Sequence, residues 1–445
     1  MRYLSISLLV CSLAACSSGN DGQSSPQTPT STPTSTQSPP ATTLSIGPAA
    51  TLSLPGNVFQ AVVTKDGQYA FVSLSNVSSG SNSGAAGSSS AEIAVLNKSS
   101  GNWQVQGYVP LQGTSQATGM ALFPDQTTLA VAAETAGLAL INVQDAIAGN
   151  ATPVYVQQGA SVSASGNGSI DVAVSNDNKY VFVANEYGKI GNATTTGNLG
   201  VVSIQEDSTG HASGALMGNI STGQSTIPGL TLSPDGATLY VANEESFKST
   251  VAQLAGYSNP ETGFACSLTT SSTTYSGSVS VIDVAQAEAQ PDGSAIISTV
   301  AAGCETVRVA VSPDNKTVWA TARSSNAIYA FDATKLRSDP NNAFISVAYS
   351  GGTEPVGIAM FPSGKYVAVS NSNRSQASNL GSNGLPLQGV QNVTIFDIST
   401  PSNPLAVQTV KSGIFPRSLS ISPDGTTLLI PNFDSNTLEI APVTQ

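Results

Sequence analysis

From residue 44 to the end, short apolar runs alternate with polar turn clusters, and one unit recurs seven times. An apolar run leads into a turn of the Ser-Pro-Asp-Gly kind, a second run often ends in Ala-Asn, and a third run follows a loop. The turns are Lys65-Asp66-Gly67, Pro124-Asp125-Gln126, Asn176-Asp177-Asn178, Pro234-Asp235-Gly236, Pro313-Asp314-Asn315, Pro362-Ser363-Gly364 and Pro423-Asp424-Gly425. Pro and Asp set the turn, and Gly or Asn takes its left-handed position. The flanking runs have strand length and are rich in Val, Ile, Thr and Tyr. A fourth strand is expected after six of the third runs, near 105–110, 154–157, 215–220, 296–300, 345–349 and 406–410.

The seventh unit has no such strand after it, because the sequence closes on Gln445. Residues 51–54 precede the first unit and align with the fourth strands, with a one-residue slip in spacing. The expected fold is therefore all-β: a seven-bladed β-propeller of four-stranded blades over residues 44–445, its last blade closed by an N-terminal strand. Such a closure hides two sheet edges at once. Strand order puts the Pro-Asp-Gly turns on one face. The loops between second and third strands lie on the other, beside the blade-to-blade connections. These loops are long in units 1, 3, 4 and 6 (75–91, 186–200, 244–278 and 372–392), which marks that side as the working face.

The repeats resemble the YVTN-type propellers, in the broader group that includes propeller lactonases such as 6-phosphogluconolactonase. The stretches 230–243 (LTLSPDGATLYVAN) and 419–432 (LSISPDGTTLLIPN) carry the likeness. Because these are turn and strand residues, the resemblance implies the fold and a lactonase label without a catalytic set.

Upstream, Arg2 is followed by an apolar run ending Leu13-Ala14-Ala15-Cys16. The run is too short to span a bilayer. It resembles a bacterial lipoprotein signal, which implies loss of residues 1–15, lipid on Cys16 and anchoring through more than one acyl chain. A plain secretory signal is the alternative. Ser17 and Ser18 imply outer-membrane sorting in a Gram-negative host, on an unspecified side of that membrane. Residues 16–43, rich in Ser, Thr and Pro, are expected to form a disordered tether.

Net charge is −12, and removing Arg2 makes it −13. That charge repels nucleic acid, and none is expected as a partner. Membrane contact is expected through the lipid alone, and a protein, peptide or glycan partner on the long-loop face. Cys266 and Cys304 fall on that face in adjacent blades, where a disulfide is the default and a metal pair the rival.

Candidate chemistry is confined to polar residues around the channel mouth. Glu134, Glu186 and Glu244 share one repeat position, with Arg323, Asn371 and Asn432 nearby on other blades. Gln60, Asp171, Arg308 and Arg417 stand near the start of the innermost strands. A carboxylate facing an arginine suits an anionic ligand or a lactone carbonyl, and three carboxylates suit a divalent cation. The bland alternative is that all are rim charges and strand-end hydrogen bonders. The single histidine, His211, falls in a turn on the opposite face, and no nucleophile elbow, phosphate loop or zinc spacing is present. No cofactor is expected. Three readings follow in order: a binding module acting through the long-loop face, a lactonase-like hydrolase at the channel mouth, and a redox propeller.

Overall fold

A computed structural model describes residues 44–78, 89–158, 168–186, 197–224, 226–246, 276–374 and 391–445. Residues 1–43, where the signal and the tether with Cys16 are expected, the interiors of the four long loops and Cys266 lie outside the described residues.

The chain forms seven blades in a ring, each an antiparallel sheet ordered from the inside outward. The innermost strands of blades 1 to 7 are Asn57–Val63, Met120–Leu122, Ser169–Val174, Gly229–Leu232, Thr306–Val311, Pro355–Met360 and Ser420–Ile421. The six expected fourth strands are Asn102–Leu111, Val154–Val156, Ala212–Ser221, Ile296–Cys304, Phe344–Tyr349 and Leu405–Lys411. Second strands such as Thr427–Asn432 are buried throughout, whereas the outer strand Asn102–Leu111 alternates exposed and sheltered positions. The uninterrupted apolar runs are thus the strands covered on both faces.

The turn motif is a self-contained hydrogen-bonded unit. In Ser233-Pro234-Asp235-Gly236, Ser233 Oγ donates to Asp235 Oδ1 (2.6 Å), while the N–H groups of Ala237 and Thr238 donate to Asp235 Oδ1 and Ser233 Oγ (both 3.0 Å). The same device recurs at Ser312/Asp314 and Ser422/Asp424. The residue after the Asp has positive φ, as in Gly236 (74°), Asn178 (63°), Asn315 (59°) and Gln126 (67°). This backbone requirement explains the preference for Gly and Asn there.

Blade 7 takes its outer strand from the N-terminal side. The strand comes in two pieces, Ala50–Ser53 paired with Thr437–Ile440 and Ser45–Ile46 paired with Val443–Thr444. It starts earlier than the expected 51–54 and breaks at Pro48, which has no N–H to give the ladder. Gly47 N–H still reaches Pro442 O (2.8 Å), so the two pieces follow one edge.

Seven apolar clusters fill the seven blade interfaces. The cluster between blades 7 and 1 joins Leu429, Leu438 and Ile440 to Val58, Val72 and Leu74, so closure is also a packing contact. An eighth, smaller cluster of Val307, Val356 and Phe415, with Phe433 against it, lies at the long-loop side.

Three six-residue helices, Val143–Ala148, Val284–Ala289 and Ala333–Ser338, follow the third strands of blades 2, 4 and 5. They were not expected from the strand pattern. Each starts where the strand ends in Asn142, Asp283 or Asp332, whose side chain accepts from the N–H three residues on. Among the described residues no helix is long and apolar enough to cross a membrane.

Candidate functional site at the channel mouth

Much of the polar chemistry near the axis is spent on joining blades. Ser73 Oγ donates to Thr118 O (2.7 Å), Thr118 Oγ1 to Ser169 O (3.2 Å), Thr231 Oγ1 to Val309 O (2.8 Å) and Ser418 Oγ to Phe59 O (2.5 Å). Gln60 belongs to this set, since its Oε1 accepts from Met120 N–H (2.6 Å). So does Asp171, whose carboxylate accepts from Leu230 N–H of the next blade (3.3 Å) and stands 3.8 Å from Arg308 Nε. Burial pushes the Asp171 carboxyl up, against the pull of Arg308 and two backbone N–H groups. Glycine makes room for these side chains. A Cβ on Gly119 would stand 2.2 Å from Asp171 Oδ1 and 2.6 Å from Asp171 Cα, and one on Gly229 would stand 2.7 Å from Arg308 Cδ. Arg308 Nη1 donates to Pro228 O and to Val307 O.

On the turn side of this layer lies an axial cavity of about 310 Å³. Asp171 and Arg308 line it together with apolar strand residues such as Val174 and Leu232. Glu186, Glu244 and Arg417 are not among its walls.

These three belong to the opposite, long-loop end. Glu186 follows the second strand of blade 3, Glu244 lies near the end of that of blade 4 (Thr238–Ser246), Arg323 and Arg374 follow those of blades 5 and 6, and Arg417 precedes the first strand of blade 7. Arg323 bridges two blades. Its Nη2 stands 2.6 Å from Glu244 Oε1 and 2.7 Å from Glu305 Oε2, and its Nε donates to the same Glu305 oxygen (2.8 Å). Burial alone would lower the Arg323 guanidinium, but the two carboxylates hold it above its ordinary value.

Arg417 is placed differently. Its guanidinium carbon lies 4.3 Å from the Phe59 ring centroid, 5.0 Å from Phe433 and 5.4 Å from Phe415. Arg374 stands over the Phe415 ring at 5.8 Å, and Arg308 is 6.0 Å from Phe59. Burial, then the charges of Arg374 and Arg308, push Arg417 down to about 9, which leaves it cationic at neutral pH. Glu186 is the matching carboxyl. Burial and then the Glu244 carboxylate push it up, opposed by Arg417, Arg308 and Arg374.

Of the residues picked out by sequence position, Glu186 and Arg417 lie within electrostatic reach of each other and of Arg308 and Glu244, and Glu244 in turn pairs with Arg323. Glu134 stays apart. It sits at positive φ (38°), its Oε1 accepts from Gln116 (3.0 Å), and burial pushes it up with no charged neighbour acting on it. Asn371 donates to Ser350 O and Asn392 Oδ1, and Asn432 to Thr437, all within or beside their own blades. Among the described residues no group of three His, Cys, Asp or Glu side chains could hold a metal ion, so the three glutamates do not form one. His211 is a turn residue that clasps blade 3 to the helix of blade 2. Its Nε2 lies 2.8 Å from Asp145 Oδ2 and its Nδ1 2.8 Å from Thr209 Oγ1. Cys304 ends the outer strand of blade 4 and is buried, 4% exposed.

Arg374, Glu305 and the three phenylalanines escaped the sequence reading. Arg374 lies three residues past the strand-ending Asn371, outside the repeat position that the glutamates share. The phenylalanines read as ordinary apolar strand and turn residues, though Phe415, two places before Arg417, was a usable signal.

No protein-family signature matches the chain, and no characterised protein matches it in sequence. What fold and site define together is a seven-bladed β-propeller with a charged axial mouth. Two solved structures of similar fold are Kuenenia stuttgartiensis hydrazine synthase and the mitotic checkpoint complex. The first shares 17% identity at a TM-score of 0.56, over 87% of this chain and 96% of that one. The second shares 12% at 0.58, over 92% and 96%. At these identities the likeness concerns the fold alone.

Proposed function

We propose that this chain is a lipid-anchored cell-envelope propeller that binds its ligand or partner at the mouth on the long-loop face. One observation carries the reading: Glu186, Arg374 and Arg417 gather there above Arg308, while most other polar residues near the axis are taken up by hydrogen bonds or ion pairs between blades. A structural ring has no need of surplus buried charge, which costs stability unless something pairs with it. The anchor at Cys16 and the Ser/Thr/Pro-rich tether fit a receptor or scaffold held off a membrane.

The test is binding of the full chain to peptide and glycan panels. Binding should weaken with Arg374→Ala, change with Glu186→Ala and stay as it is with Lys179→Ala on the turn face. A chain that binds nothing, or whose binding ignores the mouth substitutions, would sink the reading.

A lactonase-like hydrolase is the second reading. It is favoured by Glu186, a carboxyl of raised proton affinity beside three arginines, which suits general acid–base work next to a developing oxyanion. Turnover on a lactone panel, abolished by Glu186→Gln, would support it, and flat activity across the panel would remove it.

A further inference from the structure

We infer that Arg417 anchors an oxyanion site, and that a carboxylate or phosphate group of the ligand seats against its Nη edge at the long-loop mouth. This rests on the binding reading above and names the chemistry of what is bound.

The Arg417 guanidinium makes no hydrogen bond among the described residues, and no carboxylate oxygen lies within ion-pair distance of it. Its Nε is sealed from solvent with no acceptor. Arg323, on a neighbouring part of the same rim, has two carboxylates at 2.6 and 2.7 Å. The fold can therefore pair an arginine here, and does so elsewhere.

Three phenyl rings crowd Arg417 at 4.3 to 5.4 Å. Ring contacts attract a cation through the electron-rich face of the ring. They leave its in-plane N–H donors unsatisfied, and those donors form the fork that matches two oxygens of a carboxylate or phosphate. Phe59, Phe415 and Phe433 pack against one another, with ring centroids 6.4 Å apart for Phe59 and Phe433 and 5.5 Å for Phe415 and Phe433. They hold the fork in place before any ligand arrives, which lowers the ordering cost of binding.

The surroundings set the sign of the ligand. Arg308 and Arg374 flank the same rings and add positive potential. Glu244 is already paired with Arg323. Glu186 has no hydrogen bond to its carboxyl among the described residues and limits how much negative charge the mouth accepts. Removing that carboxylate should therefore strengthen oxyanion binding, a response that a purely structural Arg417 would not produce.

Calorimetry and thermal melting of the full chain in detergent test this, with inorganic phosphate, acetate and citrate as probes and glucose and tetramethylammonium as neutral and cationic controls. The oxyanions should bind, more weakly as salt rises, and the controls should not. Arg417→Gln should weaken oxyanion binding at least tenfold, Arg417→Lys by less, and Glu186→Gln should tighten it several-fold. Should Arg417→Gln fail to fold, the opposed effects of Arg417→Lys and Glu186→Gln decide. Absence of oxyanion binding, or equal binding by wild type and both Arg417 variants, overturns the inference. If a peptide or glycan still binds the mouth in that case, the binding reading survives alone; if nothing binds, both fall.

Discussion

Ile46 offers the sharpest test of ring closure. It is 7% exposed, pairs with Val443 and packs among Phe361, Ile395, Leu428 and Ile430, between blades 6 and 7. Both of its backbone groups are held by one side chain: Ile46 N–H donates to Gln408 Oε1 (2.9 Å) and Gln408 Nε2 donates to Ile46 O (2.8 Å). Replacing Ile46 by Asp removes the buried aliphatic group, a loss of about 2–5 kcal/mol. It also leaves an unpaired carboxylate in an apolar site, adding roughly 2 kcal/mol. The sum is about 4–7 kcal/mol. Unfolding entropy of about 2.1 cal/mol/K per residue over roughly 400 residues is about 0.8 kcal/mol/K, so the melting temperature should fall by about 5–8 °C. Ser53→Asp, exposed on the same outer strand, is the control and should change melting little. Circular dichroism melting with limited proteolysis is the assay, and early cleavage near residues 44–53 is expected only for Ile46→Asp. Equal melting of the two variants would mean that this strand does not hold the ring shut.

Four further outcomes are expected. The turn carboxylates Asp66, Asp235, Asp314 and Asp424 are held below the usual range, first by the Thr or Ser hydroxyl two residues before each and then by backbone N–H groups. Their stabilisation is present above the unfolded value, about 3.9, and is lost as pH falls through the lower folded values, so Asp→Asn at these positions should flatten acid unfolding in that window. The His211 imidazole is raised, first by its hydrogen bond to Asp145; its contribution is complete below about 6.5 and fades as pH rises through the folded value, a slope that His211→Gln should erase in melting scans. Cys16→Ser should move the protein from the membrane to the soluble fraction, and unchanged fractionation would refute the lipid anchor. Peptide mapping without reductant should find Cys266 joined to Cys304, and two free thiols would refute the pairing.

What was legible in the sequence is what depends on neighbours along the chain. The Ser-x-Asp-Gly turns close their own hydrogen bonds within six residues, so each can be read where it stands. Strand runs, repeat number, the two faces and the outer strand borrowed by blade 7 all follow from counting such units. The lost details have local causes too: Pro48 split the closing strand, and strand-ending Asn or Asp capped helices that a strand pattern does not announce.

The site answers to a different rule. Asp171 and Arg417 occupy comparable places at the start of innermost strands. Yet Asp171 is taken up by Leu230 and Arg308, while Arg417 is left with three phenyl rings and, among the described residues, no acceptor. Phe59 comes from the opposite end of the sequence to Phe415 and Phe433, and only ring closure sets them side by side. The sequence by itself determined the repeat, its turns and the number of blades, because those are short-range hydrogen bonding and burial pattern. Tertiary structure alone decided which charges at the mouth are paired, because pairing depends on distances across blades that no spacing along the chain encodes.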